Sequence, residues 1–258
     1  MYNFEFVKPS SVDEAAAALT SEDAQALGGG QTLIPTMKQR LASPSKLVSL
    51  SGIASMVGAT KEGDTVTIGG ATTHAEVAAA GLGAVSALAG NIGDPSVRNR
   101  GTIGGSLANN DPSADYPAAI LALGATIVTN RREIAADDFF DGMFTTALDE
   151  GEIITAVKFT PPSAACYQKF EQPASRFALT GVFVANTASG VRVAVTGASE
   201  DGVHRWAAAE DALNADFNAD TLADLSVSDD GMIADLHGSA AYRANLVKVL
   251  TQRAVADC

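Results

Sequence analysis

Over the first fifty residues apolar positions come in short runs broken by polar turns. Phe4-Glu-Phe-Val-Lys-Pro9 alternates and stops at a proline, which predicts a short strand, and Ser11-Val-Asp-Glu14 has the form of a capping box opening an Ala-rich helix to about Leu19. Residues 24–27 predict a short buried strand running into Gly28-Gly29-Gly30. Residues 31–38 follow as a helix with Pro35 in its first turn, and residues 46–50 as the next strand. Helices that act as crossovers make such a β-α-β-α-β unit parallel.

From Ser55 the pattern changes. Residues 56–60 and 65–68 alternate around the turn Lys61-Glu-Gly-Asp64, which predicts a hairpin. A helix is expected near Thr73, another over 81–89, a break at Asn91-Ile-Gly-Asp-Pro95, a helix over 114–123, and strands over 125–129 and 152–159. Pro161-Pro162 punctuates the chain and marks a domain boundary. Beyond it, residues 166–170, 179–187 and 191–197 predict a three-stranded antiparallel sheet, and 206–213, 220–225 and 240–256 predict the helices covering it. The class is α+β, with domains at 1–162 (subdomains about 1–54 and 55–162) and 163–258.

Composition narrows the function. The chain is 47% hydrophobic and 18% charged over 258 residues, which is globular rather than disordered. Seventeen Lys+Arg against thirty Asp+Glu leave a net charge of −13, which repels phosphate backbones and anionic membranes, so nucleic acid is not an expected partner. No apolar run approaches the ~20 residues that cross a bilayer. Met1 to Pro9 has neither a basic nor an apolar leader segment, so a cytoplasmic location is the expectation. Cys166 and Cys258, the only cysteines, are far apart in sequence, so no zinc knuckle or iron–sulfur cradle can be built within the chain.

The strongest local signal for chemistry is Gly28-Gly29-Gly30-Gln31-Thr32 between a strand and a helix. Residues without Cβ let backbone N–H groups close on an anion there, although a plain tight turn has the same composition. Leu33 stands where a dinucleotide fingerprint needs its third glycine, and no Gly-Lys step supports a P-loop. A second loop, Gly101-Thr102-Ile103-Gly104-Gly105-Ser106, is also glycine-rich. Two N–H-rich loops suit a diphosphate held with few basic side chains. Asp115 is either a carboxylate for sugar or ribityl hydroxyls or the N-cap of the helix at Tyr116. His74 could face a cofactor, but it shares no ligand spacing with His204 or His237, and no metal site is expected. Arg98 and Arg100 could attract an anion or simply be solvated, Trp206 is expected to pack, and no nucleophilic triad has support.

Together, residues 27–38, Ile92-Gly-Asp-Pro-Ser-Val-Arg98 and residues 101–115 resemble the FAD-binding medium subunit of the molybdenum hydroxylases, the group that includes carbon monoxide dehydrogenase and xanthine dehydrogenase. Tyr167-Gln-Lys-Phe170 and residues 173–179 extend the resemblance into the carboxy-terminal domain. It implies a two-part FAD-binding domain of the vanillyl-alcohol-oxidase (PCMH) type. By motif, Gly28, Gly29, Gly30, Gln31, Thr32 and Leu33 match the first phosphate loop, and Thr102, Ile103, Gly104, Gly105 and Ser106 the second; Asp115 matches the FAD-binding aspartate, and Ile154 and Lys169 match further contacts. Many relatives have Ala-Gly-Gly where this chain has Gly28-Gly-Gly30. The resemblance further implies noncovalent FAD on this chain, a small subunit with [2Fe–2S] clusters, a large molybdopterin subunit, a dimer of heterotrimers, and no catalytic acid or base here. A self-sufficient flavin oxidase of the same domain type and a non-catalytic assembly protein are the alternatives.

Overall fold

The computed structural model describes residues 1–258, and three sheets follow one another along the chain. β1 (Glu5–Val7), β2 (Ala24–Leu27) and β3 (Lys46–Ser49) form the expected parallel sheet in the order β1-β3-β2, with α1 (Val12–Ala18) and α2 (Leu33–Lys38) as crossovers. Ser11 caps α1 by accepting the Glu14 N–H at 3.2 Å, but the Glu14 carboxylate accepts from the Ser10 N–H and hydroxyl, one residue upstream of the expected box. Helix α2 starts at Leu33 rather than Gln31, because Gly30 turns the chain at φ +71° and Gln31 and Thr32 complete the loop before the helix begins. This sheet has a small core of 7 buried residues, including Ala15, Leu19, Val48 and Ile53.

The second sheet is antiparallel and five-stranded. It consists of β4 (Ala59–Glu62), β5 (Thr65–Gly69), β6 (Thr126–Thr129), β7 (Glu133–Ala135) and β8 (Ile154–Phe159) in the order β4-β5-β8-β6-β7. Met56, expected in the hairpin, lies instead in a 3-10 turn before β4. Between β5 and β6 run α3 (His74–Ala79), α4 (Ala84–Gly90), α5 (Pro95–Arg98), α6 (Ile103–Asn109) and α7 (Tyr116–Ala122). Thr73 and Glu76 form the reciprocal capping box that starts α3. Every residue of α7 is buried, as its uninterrupted apolar run requires. Its core of 26 buried residues also takes in Phe183, Ala185 and Ala194 from the third sheet, so those two sheets share one interior.

β9 (Ala164–Glu171), β10 (Ala178–Thr187), β11 (Gly190–Thr196) and β12 (His204–Arg205) form the third sheet in the order β12-β11-β10-β9. The expected three strands are therefore four. β12 pairs only with Ala194 and Val195 and is too short to show an alternating pattern, and β7 enlarges the second sheet for the same reason. α8 (Ala207–Ala215) and α9 (Ala240–Asp257) cover this sheet around a separate core of 18 residues that includes Trp206. The helix expected over 220–225 is a 3-10 turn, Ala219–Leu222. No helix is long and apolar enough to cross a membrane.

Candidate functional site

The loop that leaves β2 is open. None of the backbone N–H groups from Gly28 through Leu33 donates to a protein acceptor; the nearest closure is the Gln31 side-chain amide on the Gly29 carbonyl at 3.1 Å. Gln31 and Thr32 are exposed, and the glycines and Leu33 are half-buried. Successive free amides on a turning backbone form a concavity suited to an anion.

The second loop lies against the first. A Cβ on Gly28 would sit 2.8 Å from Thr102 Oγ1, and one on Gly29 would overlap the Arg100 carbonyl and the Gly101 Cα, so at position 29 only glycine allows this approach. Here the expectation of two N–H-rich loops is corrected. The amides of Gly101, Ile103, Gly104 and Ser106 donate to the carbonyls of Val97, Thr72, Gly70 and Thr102, and that of Gly105 donates to Thr102 Oγ1. Thr102 caps α6 and bridges to Thr73, which draws the loop into the surrounding structure. What it retains for a ligand is the Thr102 N–H and the Ser106 hydroxyl.

Ile154 reaches this loop through a glycine that sequence reasoning passed over. Gly70 packs directly on the Ile154 carbonyl, while its own carbonyl accepts from the Gly104 N–H at 2.9 Å. The Gly69-Gly70 pair ending β5 was the available signal. Two residues before Ile154, the Glu152 carboxylate accepts from the Thr129 hydroxyl at 2.6 Å, from Arg132 at 3.0 Å and from the Asp149 N–H at 2.8 Å. These bonds, Arg132 first, outweigh burial and hold its pKa down at about 2.

Asp115 and Lys169 come together. The Lys169 ammonium lies 2.9 Å from Asp115 Oδ1, with both side chains nearly inaccessible (6% and 4% exposed), and the Tyr167 hydroxyl donates to the same oxygen at 2.7 Å. Asp115 makes no side-chain cap to α7, which overturns the capping alternative. Burial pushes the Asp115 pKa up, against the opposing pull of Lys169 and Tyr167. Burial and Asp115 together hold the Tyr167 phenol well above its usual value, so it stays a donor. Oδ2 has no side-chain partner.

His74 connects the two halves. Its ring is buried, its Nε2 packs on Gly101, and its centroid is 5.3 Å from that of Tyr116, the neighbour of Asp115. Burial, with help from Arg98, lowers its pKa to about 4 and keeps it neutral at physiological pH. His74 Nδ1 and the Tyr116 hydroxyl are buried without a partner. Arg98 is half-buried and donates to the carbonyls of Ile92 and Gly93, whereas Arg100 is exposed. Contacts thus run continuously from Gly29 through Gly101, His74 and Tyr116 to Asp115 and Lys169. This set fits a long dinucleotide-like cofactor: open amides at one end, with no cluster of basic side chains, and a buried carboxylate with a free oxygen further along.

Comparison with known proteins agrees. Residues 2–162 match the family described as FAD binding domain in molybdopterin dehydrogenase. The chain is 35% identical to the nicotine 6-hydroxylase medium subunit of Paenarthrobacter nicotinovorans, over 98% of this chain and 96% of that protein. It is 32% identical to the carbon monoxide dehydrogenase medium chain of Hydrogenophaga pseudoflava, with the same coverage. Among solved structures, reconstituted CO dehydrogenase from Oligotropha carboxidovorans superposes with a TM-score of 0.89 at 30% identity, covering 99% of this chain and 97% of that one.

Proposed function

Because this chain belongs to the FAD-binding medium subunits of the molybdenum hydroxylases, we propose that it holds one noncovalent FAD of its own and passes electrons from the [2Fe–2S] clusters of a small partner subunit to an external acceptor. A large molybdopterin subunit carries out the substrate chemistry, and the assembly is a dimer of heterotrimers. The observation that carries this reading is the run of unpaired amides from Gly28 to Leu33, packed through Gly29 against the second glycine loop. In this reading residues 1–162 are a PCMH-type FAD-binding domain in two parts, about 1–54 and 55–162, and residues 163–258 close over it and supply Lys169.

FAD exchanges electrons singly or in pairs, and so couples one-electron iron–sulfur donors to two-electron acceptors. The protein's contribution is position. The Gly28–Leu33 amides hold the diphosphate, with the Thr102 N–H and the Ser106 hydroxyl beside them. Asp115 accepts a cofactor hydroxyl through Oδ2 while Lys169 and Tyr167 fix its orientation. Neutral His74 and Tyr116 back the second loop, and Ile154 sets its height through Gly70. None of these residues needs to act as an acid or base on a substrate.

The experiment is stopped-flow absorbance of the flavin, on the chain alone and in complex with its partner subunits. The lone chain should contain FAD, release it on denaturation, and stay oxidised when mixed with carbon monoxide, aldehydes or N-heterocycles. Reduction by the complex's own substrate should appear only after assembly. Rapid reduction of the lone chain by an alcohol, amine or aldehyde would make it a self-sufficient oxidase instead, and a colourless protein would make it an assembly factor.

A further inference from the structure

Strand β9 presents different chemistry on its two faces. Side chains alternate along a strand, and here Tyr167 and Lys169 point to Asp115, while Cys166, Gln168 and Phe170 point under α9. Helix α9 runs along that second face. The Phe170 ring meets Tyr242 of its first turn edge-on at 6.1 Å, and at its other end Gln168 Nε2 donates to Asp257 Oδ2 at 2.6 Å. Cys166 lies two residues from Gln168 on the same face, and Cys258 follows Asp257. The bond between the middle two residues therefore brings the outer two together. The two thiols flank the Gln168–Asp257 bond at one end of α9, although 166 and 258 are remote in sequence. Cys258 is exposed and Cys166 half-buried, so an oxidant can reach the pair from solvent.

We propose that Cys166 and Cys258 form a modification site, a dithiol that closes to an intramolecular disulfide and staples the end of α9 to β9. The oxidant is a hydroperoxide, a class of molecule that reacts with exposed thiolates. The Cys258 thiolate attacks the peroxide; the O–O bond breaks, the sulfur becomes a sulfenic acid, and water leaves. The Cys166 thiolate then attacks that sulfur, an S–S bond forms, the S–O bond breaks, and the hydroxide leaves as a second water after taking up a proton. In sum, two thiols lose two protons and two electrons, and hydrogen peroxide is reduced to two waters. The partial burial of the Cys258 thiol, with Cys166 and Asp257 beside it, raises its pKa, so the pair reacts slowly at neutral pH and closes only under sustained exposure to peroxide.

The test is to treat the FAD-loaded protein with hydrogen peroxide, block remaining thiols under denaturing conditions, and map peptides by mass spectrometry. Both thiols should disappear together into one linked pair containing residues 166 and 258, and dithiothreitol should restore them. The oxidised wild type should melt roughly 5–10 °C higher than the reduced form, because the bridge closes a long loop, and peroxide should leave the melting point of Cys258→Ser unmoved. In Cys166→Ser the sulfenic acid of Cys258 has no partner and should be trapped by dimedone. If wild-type Cys258 instead accumulated as a dimedone adduct or sulfinic acid with Cys166 still reduced, or if the chains cross-linked to one another, the proposal would be overturned.

Discussion

The two glycine loops resemble each other in sequence, yet their backbones do opposite things. From Gly28 to Leu33 no amide has a protein partner, and the loop lies at the surface of the small parallel sheet. From Gly101 to Ser106 nearly every amide is bonded, and Gly101, Thr102, Ile103 and Gly104 are buried. In the first loop glycine leaves the amides open and, at Gly29, lets the backbone close on Arg100 and Gly101. In the second it serves only close packing, of Gly104 on Gly70 and of Gly101 on His74. Similar composition thus supports two roles, a binding surface and the buttress behind it.

Substitution should separate the roles. The largest effect is expected for Gly104→Val, whose Cβ would lie about 2.5 Å from the Gly70 carbonyl oxygen in a region with no room to relax. The cofactor-free protein should lose about 4 kcal/mol of unfolding free energy in denaturant titrations. Gly29→Val must push the first loop off the Arg100 carbonyl, but on a half-exposed segment that makes no amide bonds to lose and can move away. FAD affinity should fall about a thousandfold, ~4 kcal/mol, with the cofactor-free protein losing less stability than Gly104→Val. Equal destabilisation by the two variants would abolish the distinction.

Asp115→Ala comes next. Removing the carboxylate should weaken FAD binding by about 1–3 kcal/mol in equilibrium titration, and it also leaves Lys169 buried without its counter-charge. Asp115→Ala combined with Lys169→Met should recover stability but not affinity; recovery of both would remove Asp115 from the cofactor's reach. The last effect needs a change of pH and concerns His74 in the buttress. Its pKa is about 4 in the folded protein against 6.5 in the unfolded chain, so the unfolded state binds the proton first as pH falls. The stability it supports is complete above pH 6.5, declines as pH drops toward 4, and changes no further below that. The loss should be about 3 kcal/mol in unfolding titrations across that window. His74→Asn should flatten that slope.

Local pattern carried much of this structure because its elements announce themselves over short stretches. The Thr73/Glu76 box, the apolar run of α7 and the turn at Gly190 each lie within a few residues of the element they start or end. The glycine loops were legible for the same reason, but which amides remained free was not, since the partners of the second loop at Thr72 and Gly70 come from another segment. Asp115 shows this limit clearly. Capping is a local role and could be proposed from Tyr116 alone, whereas the bond that actually orients the carboxylate comes from Tyr167, 52 positions away. The short strands β7 and β12 escaped because two or three residues cannot display a period, and the two cysteines because adjacency across a strand and a helix end leaves no spacing to read.

The core behind the open loop has one further consequence, for timescales. Seven buried residues hold the parallel sheet, whereas the interior shared by the other two sheets counts 26 and the one under α9 another 18. Segments with few buried contacts open far more often than the molecule unfolds as a whole. The β1–β3 segment is thus the first to fray, and its amides should exchange with solvent deuterium well before those of β8 or β10. Bound FAD, touching both the fraying segment and the rigid one, would slow that opening by mass action. The cofactor would act as a clasp between them, and the rate at which it leaves would be set by how often the smallest sheet breathes.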